Sequence, residues 1–169
     1  LSGRRVPEIP PNAQALSEYM STFYKSANAQ LRELIEDVSP EEAEFRPAPA
    51  EWSTKDVFAH LIASERDTYT WVVGHALGQH RMAYTSNAAL RIKSIRHSMP
   101  ELPALFDGLQ AAQEEGVAVL SELPPEFAAR KSSFVPLAAE LVEGTPHHYK
   151  DHIGQIDENL TAARAQNPA

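Results

Sequence analysis

Prolines at residues 10–11, 47–49, 100, 124–125 and 146 cut this chain into segments, and within those segments apolar residues recur at three- and four-residue steps. Leu16, Met20, Phe23, Ala27, Leu31, Leu34 and Val38 form the clearest series. At about 100° per residue such a series lies on one face of a helix. A face of that width is stable only when buried against other helices. No segment shows the period-two alternation of a half-buried strand. The pattern therefore predicts an all-α protein, a four-helix bundle running up-down-up-down with additional short helices in its connections.

The helix boundaries follow from capping chemistry. Residues 1–11, with Pro7, Pro10 and Pro11, read as an extended arm, and Asn12 as the cap of the first helix. Ser39-Pro40-Glu41-Glu42 opens a short helical turn, and Ser53 with Asp56 forms a capping box that opens the second long helix. Its inward face runs Val57, His60/Leu61, Ser64, Thr68 and Trp71/Val72, with Asp56 one turn before His60 as a candidate partner for it. Gly74 to His97 is less regular, although Ala88, Leu90, Ile92 and Ile95 mark a short helix. Ser98-Met99-Pro100-Glu101 reads as the cap of the third long helix, which Pro124-Pro125 stops. A short apolar segment around Phe134 to Val142 follows. Gly144-Thr145-Pro146 then reads as one helix end and the next helix start, which begins the last helix at Pro146.

The 169 residues suit one domain, residues 1–169. A net charge of −8 opposes nucleic-acid binding, which needs a concentrated basic surface; the local cluster Arg91, Lys93 and Arg96 reads as a solvated face. No apolar run reaches the length of a membrane span, so the expectation is a cytoplasmic protein without membrane contact. With no cysteine, a metal ion must be held by histidine and carboxylate, and any reacting thiol must come from outside.

His148 and His152 stand four apart and project from one helix face, where both imidazoles can reach one ion. Seven histidines in a chain of this length give such a pair by chance roughly one time in four, so the facing residue decides its meaning. That residue is His60, whose helix shares the core with the last one. Alone, each of the three is more often an ordinary semi-buried histidine; together, three imidazoles on facing inward stripes are a costly way to fill a core. His60, His148 and His152 are thus the candidate ligands of a divalent ion, Zn or Ni first, with one or more positions open. Placement near a helix N-terminus would keep His148 unprotonated. Tyr149 and Asp151 flank the pair as candidate acid or base. His147 reads as solvent-facing, His75, His80 and His97 as surface or loop residues, and Trp52 and Trp71 as core anchors.

The stretch Glu51-Trp52-Ser53-Thr54-Lys55-Asp56-Val57-Phe58-Ala59-His60-Leu61, followed by Thr145-Pro146-His147-His148-Tyr149-Lys150-Asp151-His152, resembles the DinB/YfiT-like superfamily of metalloenzymes, and the resemblance covers nearly the whole chain. It implies a four-helix bundle, often a homodimer, with His60, His148 and His152 on a divalent metal. Members include transferases and isomerases that use low-molecular-weight thiols, and hydrolases that disarm reactive small molecules. Many members read His-Arg-Gly-Gln after the last ligand; here the run is His152-Ile153-Gly154-Gln155, without the arginine. The expectation is a metal-dependent hydrolase or thiol-dependent transferase acting on a small electrophilic or hydrolysable substrate, with an external thiol as a second cofactor. The alternative is a non-catalytic, stress-related binding module with a structural or vestigial metal site.

Overall fold

The computed structural model describes residues 8–79 and 88–166. Seven helices are found among them, with no strand: α1 (Ala13–Ile35), α2 (Pro40–Glu44), α3 (Thr54–Ala76), α4 (Ala88–Ser98), α5 (Leu102–Ser121), α6 (Pro125–Ala129) and α7 (Lys131–Gln166). The all-α bundle expected from the apolar period is what the chain forms. Asn12 caps α1 by accepting from the Ala15 amide at 2.8 Å. Of the expected stripe, Leu16, Met20, Ala27 and Leu31 are buried, and Tyr24 joins them. The arm expected over residues 1–11 is not loose at its described end, where Pro10 is buried and Ile9 packs on the core. Residues 1–7 and His80 lie outside the described residues.

Two capping boxes set the entries of α2 and α3. The Ser39 and Ser53 hydroxyls accept from the Glu42 and Asp56 amides, and those carboxylates accept in return from the serine amides. Each box satisfies two backbone donors that the helix start leaves without intrahelical partners. The expected serine cap of α5 is not formed. Ser98 closes α4 instead, its hydroxyl donating to the Ile95 carbonyl at 3.0 Å, while α5 starts after Glu101 with no side-chain cap. The Met99 amide still bonds the Ile95 carbonyl, which spends Ser98 on finishing one helix before the next begins.

The order of helix directions also departs from up-down-up-down. Antiparallel pairing of α1 with α5 is read from Ser17 against Val117 and Asn28 against Gln113, while α1 and α7 run parallel, with Tyr19 at Val142 and Phe23 at Tyr149. Phe58 meets Phe106 and Tyr69 lies over Gly116, so α3 and α5 are also parallel. The long helices therefore run up, down, down, up, and α1 faces α3 diagonally across the core. The connection from α3 to α5 makes this possible. α4 returns along α3, with Arg91 on Asp67 and Arg96 on Asp56, and delivers the chain to the end where α3 began.

Those ion pairs correct two readings of charge. Arg91 and Arg96 do not form a solvated face: Arg91 bonds Asp67 and the Ala63 carbonyl, and Arg96 bonds Asp56 and Glu44. Asp56, 2 % exposed, spends its carboxylate on the Ser53 amide, Arg46 and Arg96, not on His60.

α7 does not begin at Pro146. It runs unbroken from Lys131 through Gly144-Thr145-Pro146 to Gln166. A proline there lacks the N–H that would bond the carbonyl one turn back, that of Val142. The Tyr19 hydroxyl of α1 donates to that carbonyl at 3.4 Å. A partner from another helix thus replaces the missing bond, which is why a local stop signal is overridden.

Candidate metal centre

His60 occupies the second turn of α3, and α7 lies antiparallel against it with His148 and His152 one turn apart on the facing side. One ligand-capable atom from each of the three residues lies within 4.8 Å of the other two. The Nε2 atoms of His60 and His148 are 3.1 Å apart. Two imidazole nitrogens at the ~2.0–2.1 Å of a metal–nitrogen bond stand about 2.9 Å apart in octahedral and about 3.3 Å apart in tetrahedral geometry. The His60–His148 separation falls between the two, and the all-imidazole donor set suits a late divalent ion.

The protonation state suits the same use. Burial, then the charges of His152 and His148, hold His60 down to about 4, and burial followed by His152 does the same for His148. Desolvation and mutual repulsion both disfavour imidazolium, leaving free lone pairs at neutral pH. Because α7 is continuous, His148 lies mid-helix, and burial takes the place of the helix N-terminus as the reason. The Nδ1 of His152 is 2.9 Å from Gln155 Oε1. An amide oxygen only accepts, so Nδ1 carries the proton and Nε2 keeps its lone pair.

Trp52, expected as a core anchor, is half-buried and covers the cluster, its ring 4.7 Å from His60 and 6.2 Å from His152. Its carbonyl accepts from Asn159 of α7 at 2.9 Å, which ties the loop before α3 to the ligand-bearing helix. Trp71, like Trp52, is half-buried and packs against the core as expected, and it also lies beside His75, ring centroids 4.9 Å apart, in the wall of a cleft of about 590 Å³ between α3 and α7. Ser64 and His148 also line that cleft, so one side of the imidazole cluster borders open space.

The two flanking candidates are placed elsewhere. Tyr149, 1 % exposed, turns its hydroxyl into the core, donating to Glu65 at 2.7 Å and accepting from Gln113 at 2.8 Å. Asp151 points outward, its carboxylate 3.5 Å from exposed His147. Neither is brought to the imidazoles. Of the remaining histidines, His97 is exposed, and His75 is half-buried in the cleft wall, where it was expected at the surface.

Behind the cluster lies a buried polar group the apolar pattern conceals. Glu65, 3 % exposed, accepts from the Tyr24 and Tyr149 hydroxyls at 2.7 Å each, and Tyr24 bonds Tyr69. Desolvation raises its pKa against the lowering effect of those hydroxyls. The sequence signal was available in the register: Glu65 stands four residues after Leu61 and four before Tyr69, on the stripe that faces the core.

A model of the DinB superfamily matches residues 24–156, which take in all of α3, most of α7 and all three histidines. The chain belongs to the DinB superfamily. No curated protein and no solved structure matches it. This DinB-superfamily chain brings together a histidine triad compatible with a metal site. Among the described residues no helix is long and apolar enough to cross a membrane.

Proposed function

We propose that the protein is a metal-dependent enzyme whose divalent ion is held by His60, His148 and His152 and whose small electrophilic or hydrolysable substrate enters through the cleft between α3 and α7. The observation that carries this reading is the convergence of three imidazoles on one point at the edge of an open cavity. When bound, such an ion supplies Lewis acidity, which steadies developing negative charge and favours the ionised form of water or an external thiol. The chain's own residues do the rest: Gln155 fixes the His152 tautomer, Trp52 shields one side of the cluster from water, and Ser64, 3.5 Å from His60 Nε2, offers a hydroxyl toward the cleft. Acid–base work by Tyr149 is not part of this reading, because its hydroxyl is sealed in the core; Asp151 would need a substrate reaching round α7. Hydrolysis or thiol transfer, homodimerisation and a cytoplasmic setting belong to the proposal on the strength of the family resemblance.

The test is elemental analysis of protein purified without an affinity tag, beside a His152→Ala variant. Near-stoichiometric Zn, Ni or a related ion in the parent and its loss in the variant is expected. Equal metal content in both would sink the reading and favour a binding module with vestigial histidines.

A further inference from the structure

We propose that the cleft between α3 and α7 selects small molecules carrying an organic ammonium group, seated between the Glu140 carboxylate and the Trp71 indole, with the rest of the molecule directed toward His148. The proposal deepens the reading of the histidine cluster as a metal centre and rests on it only for which end of the molecule reacts.

Charge is the first argument. Among the described residues, Glu140 is the one carboxylate lining this cleft, and no Lys or Arg lines it. Three other clefts of about 490–510 Å³ each carry at least one such cation: Lys25 and Arg32, Arg66, and Arg46 with Lys93 and Arg96. Glu140 is exposed and makes no ion pair with any described residue. A carboxylate without a protein cation among the described residues makes the Glu140 end of the cleft negative and favourable to a cation, whereas an ion held by the histidines would repel an ammonium from the His148 end, which directs the charged group toward Glu140.

The second argument is shape and surface. Half-buried Trp71 and His75 form an aromatic wall, and an indole face attracts an ammonium through its quadrupole. Hydroxyls of Ser64, Thr68 and Thr145 supply polar partners between the Glu140 region and His148. About 590 Å³ suits a molecule of small-metabolite size.

The experiment compares three ligands of one shape, 2-phenylethylammonium, neutral 2-phenylethanol and anionic phenylacetate, titrated at low salt into metal-loaded and chelator-stripped protein. Binding is followed by the two indole N–H resonances, assigned with Trp71→Phe. Expected is saturable binding that shifts Trp71, with the ammonium about tenfold tighter than the alcohol and the anion weakest. Glu140→Gln, an exposed change that leaves metal content alone, should cut the ammonium preference to the smaller share supplied by the Trp71 indole without weakening the alcohol. Equal affinity for ammonium and alcohol, a preference undiminished by Glu140→Gln, or no saturable ammonium binding would overturn the proposal. A preference that persists in protein unable to take up metal would refute the metal centre alone. Metal uptake without any preference would refute this inference alone.

Discussion

Tyr149 and His148 are neighbours in the chain and serve different environments, because about 100° of helix separates them. His148 faces α3 and the cleft; Tyr149 faces the core and holds Glu65. Tyr149→Phe leaves one oxygen of a buried carboxylate without its donor and strips the Gln113 amide of one of its two acceptors, Asn28 remaining, which costs about 1–3 kcal/mol. Urea melts should show that loss while metal content stays at the parent level. A large fall in metal content at unchanged stability would instead place Tyr149 in the site. Gly116 decides a second residue-scale effect. A Cβ there would fall 1.6 Å from Cζ of Tyr69, whose hydroxyl bonds Tyr24. Alanine improves helix propensity by about 1 kcal/mol, but displacing a buried ring costs about 1–3 kcal/mol or more. Gly116→Ala is therefore expected to lower the melting temperature, and a rise would show that the ring moves freely.

At the scale of elements, α3 organises the molecule because its first turn is tied down on several sides. Asp56 closes the capping box and accepts from Arg46 of the preceding loop and Arg96 of α4, while Lys55 reaches Glu44 of α2 at 3.2 Å. These contacts fix the start of the helix one turn before His60. Asp56→Ala takes away the carboxylate half of the capping box and two charge-assisted bonds while the Ser53 cap remains, a cost of about 2–4 kcal/mol. Denaturant titration at low and high salt checks this. The capping share should survive salt and the arginine share should shrink. α7 is the complementary case: its ligands sit on a helix that local signals would have divided, and Tyr19 of α1 makes the continuous form viable.

For the whole molecule, the histidine cluster couples metal, protons and folding. In metal-free protein, His60 and His148 have folded values near 4 against an ordinary value of 6.5. As pH falls from about 6.5 towards 4 the unfolded chain takes up protons that the folded chain refuses, so stability rises with pH over that window and is lost as pH falls through it. Glu65 acts in the opposite sense: its raised value lets the folded chain keep a proton above 4.5, so stability falls as pH rises beyond that point. Replacing both histidines by asparagine should flatten the acid-side loss and expose the Glu65 slope, read from melting temperatures between pH 4 and 8. Adding the bound metal at about 100 times its Kd should stabilise the fold by about 2.7 kcal/mol, and chelation should reverse it.

The sequence by itself determined the all-α character, the caps of α1, α2 and α3, and the candidate ligands. The apolar period and the capping serines act over three or four residues, and the four-residue spacing of His148 and His152 with the inward register of His60 are properties of single helices. Tertiary structure decided the rest, because it concerns partners far apart in the chain. The up-down-down-up order depends on how α4 returns along α3. Continuity through Pro146 depends on a hydroxyl from Tyr19, and the Glu65 network on tyrosines from three helices. Trp52 and Gln155 gain their places beside the histidines only once α3 and α7 pack. Local backbone chemistry fixes what each segment is, while burial and the pairing of distant polar groups fix which segments meet.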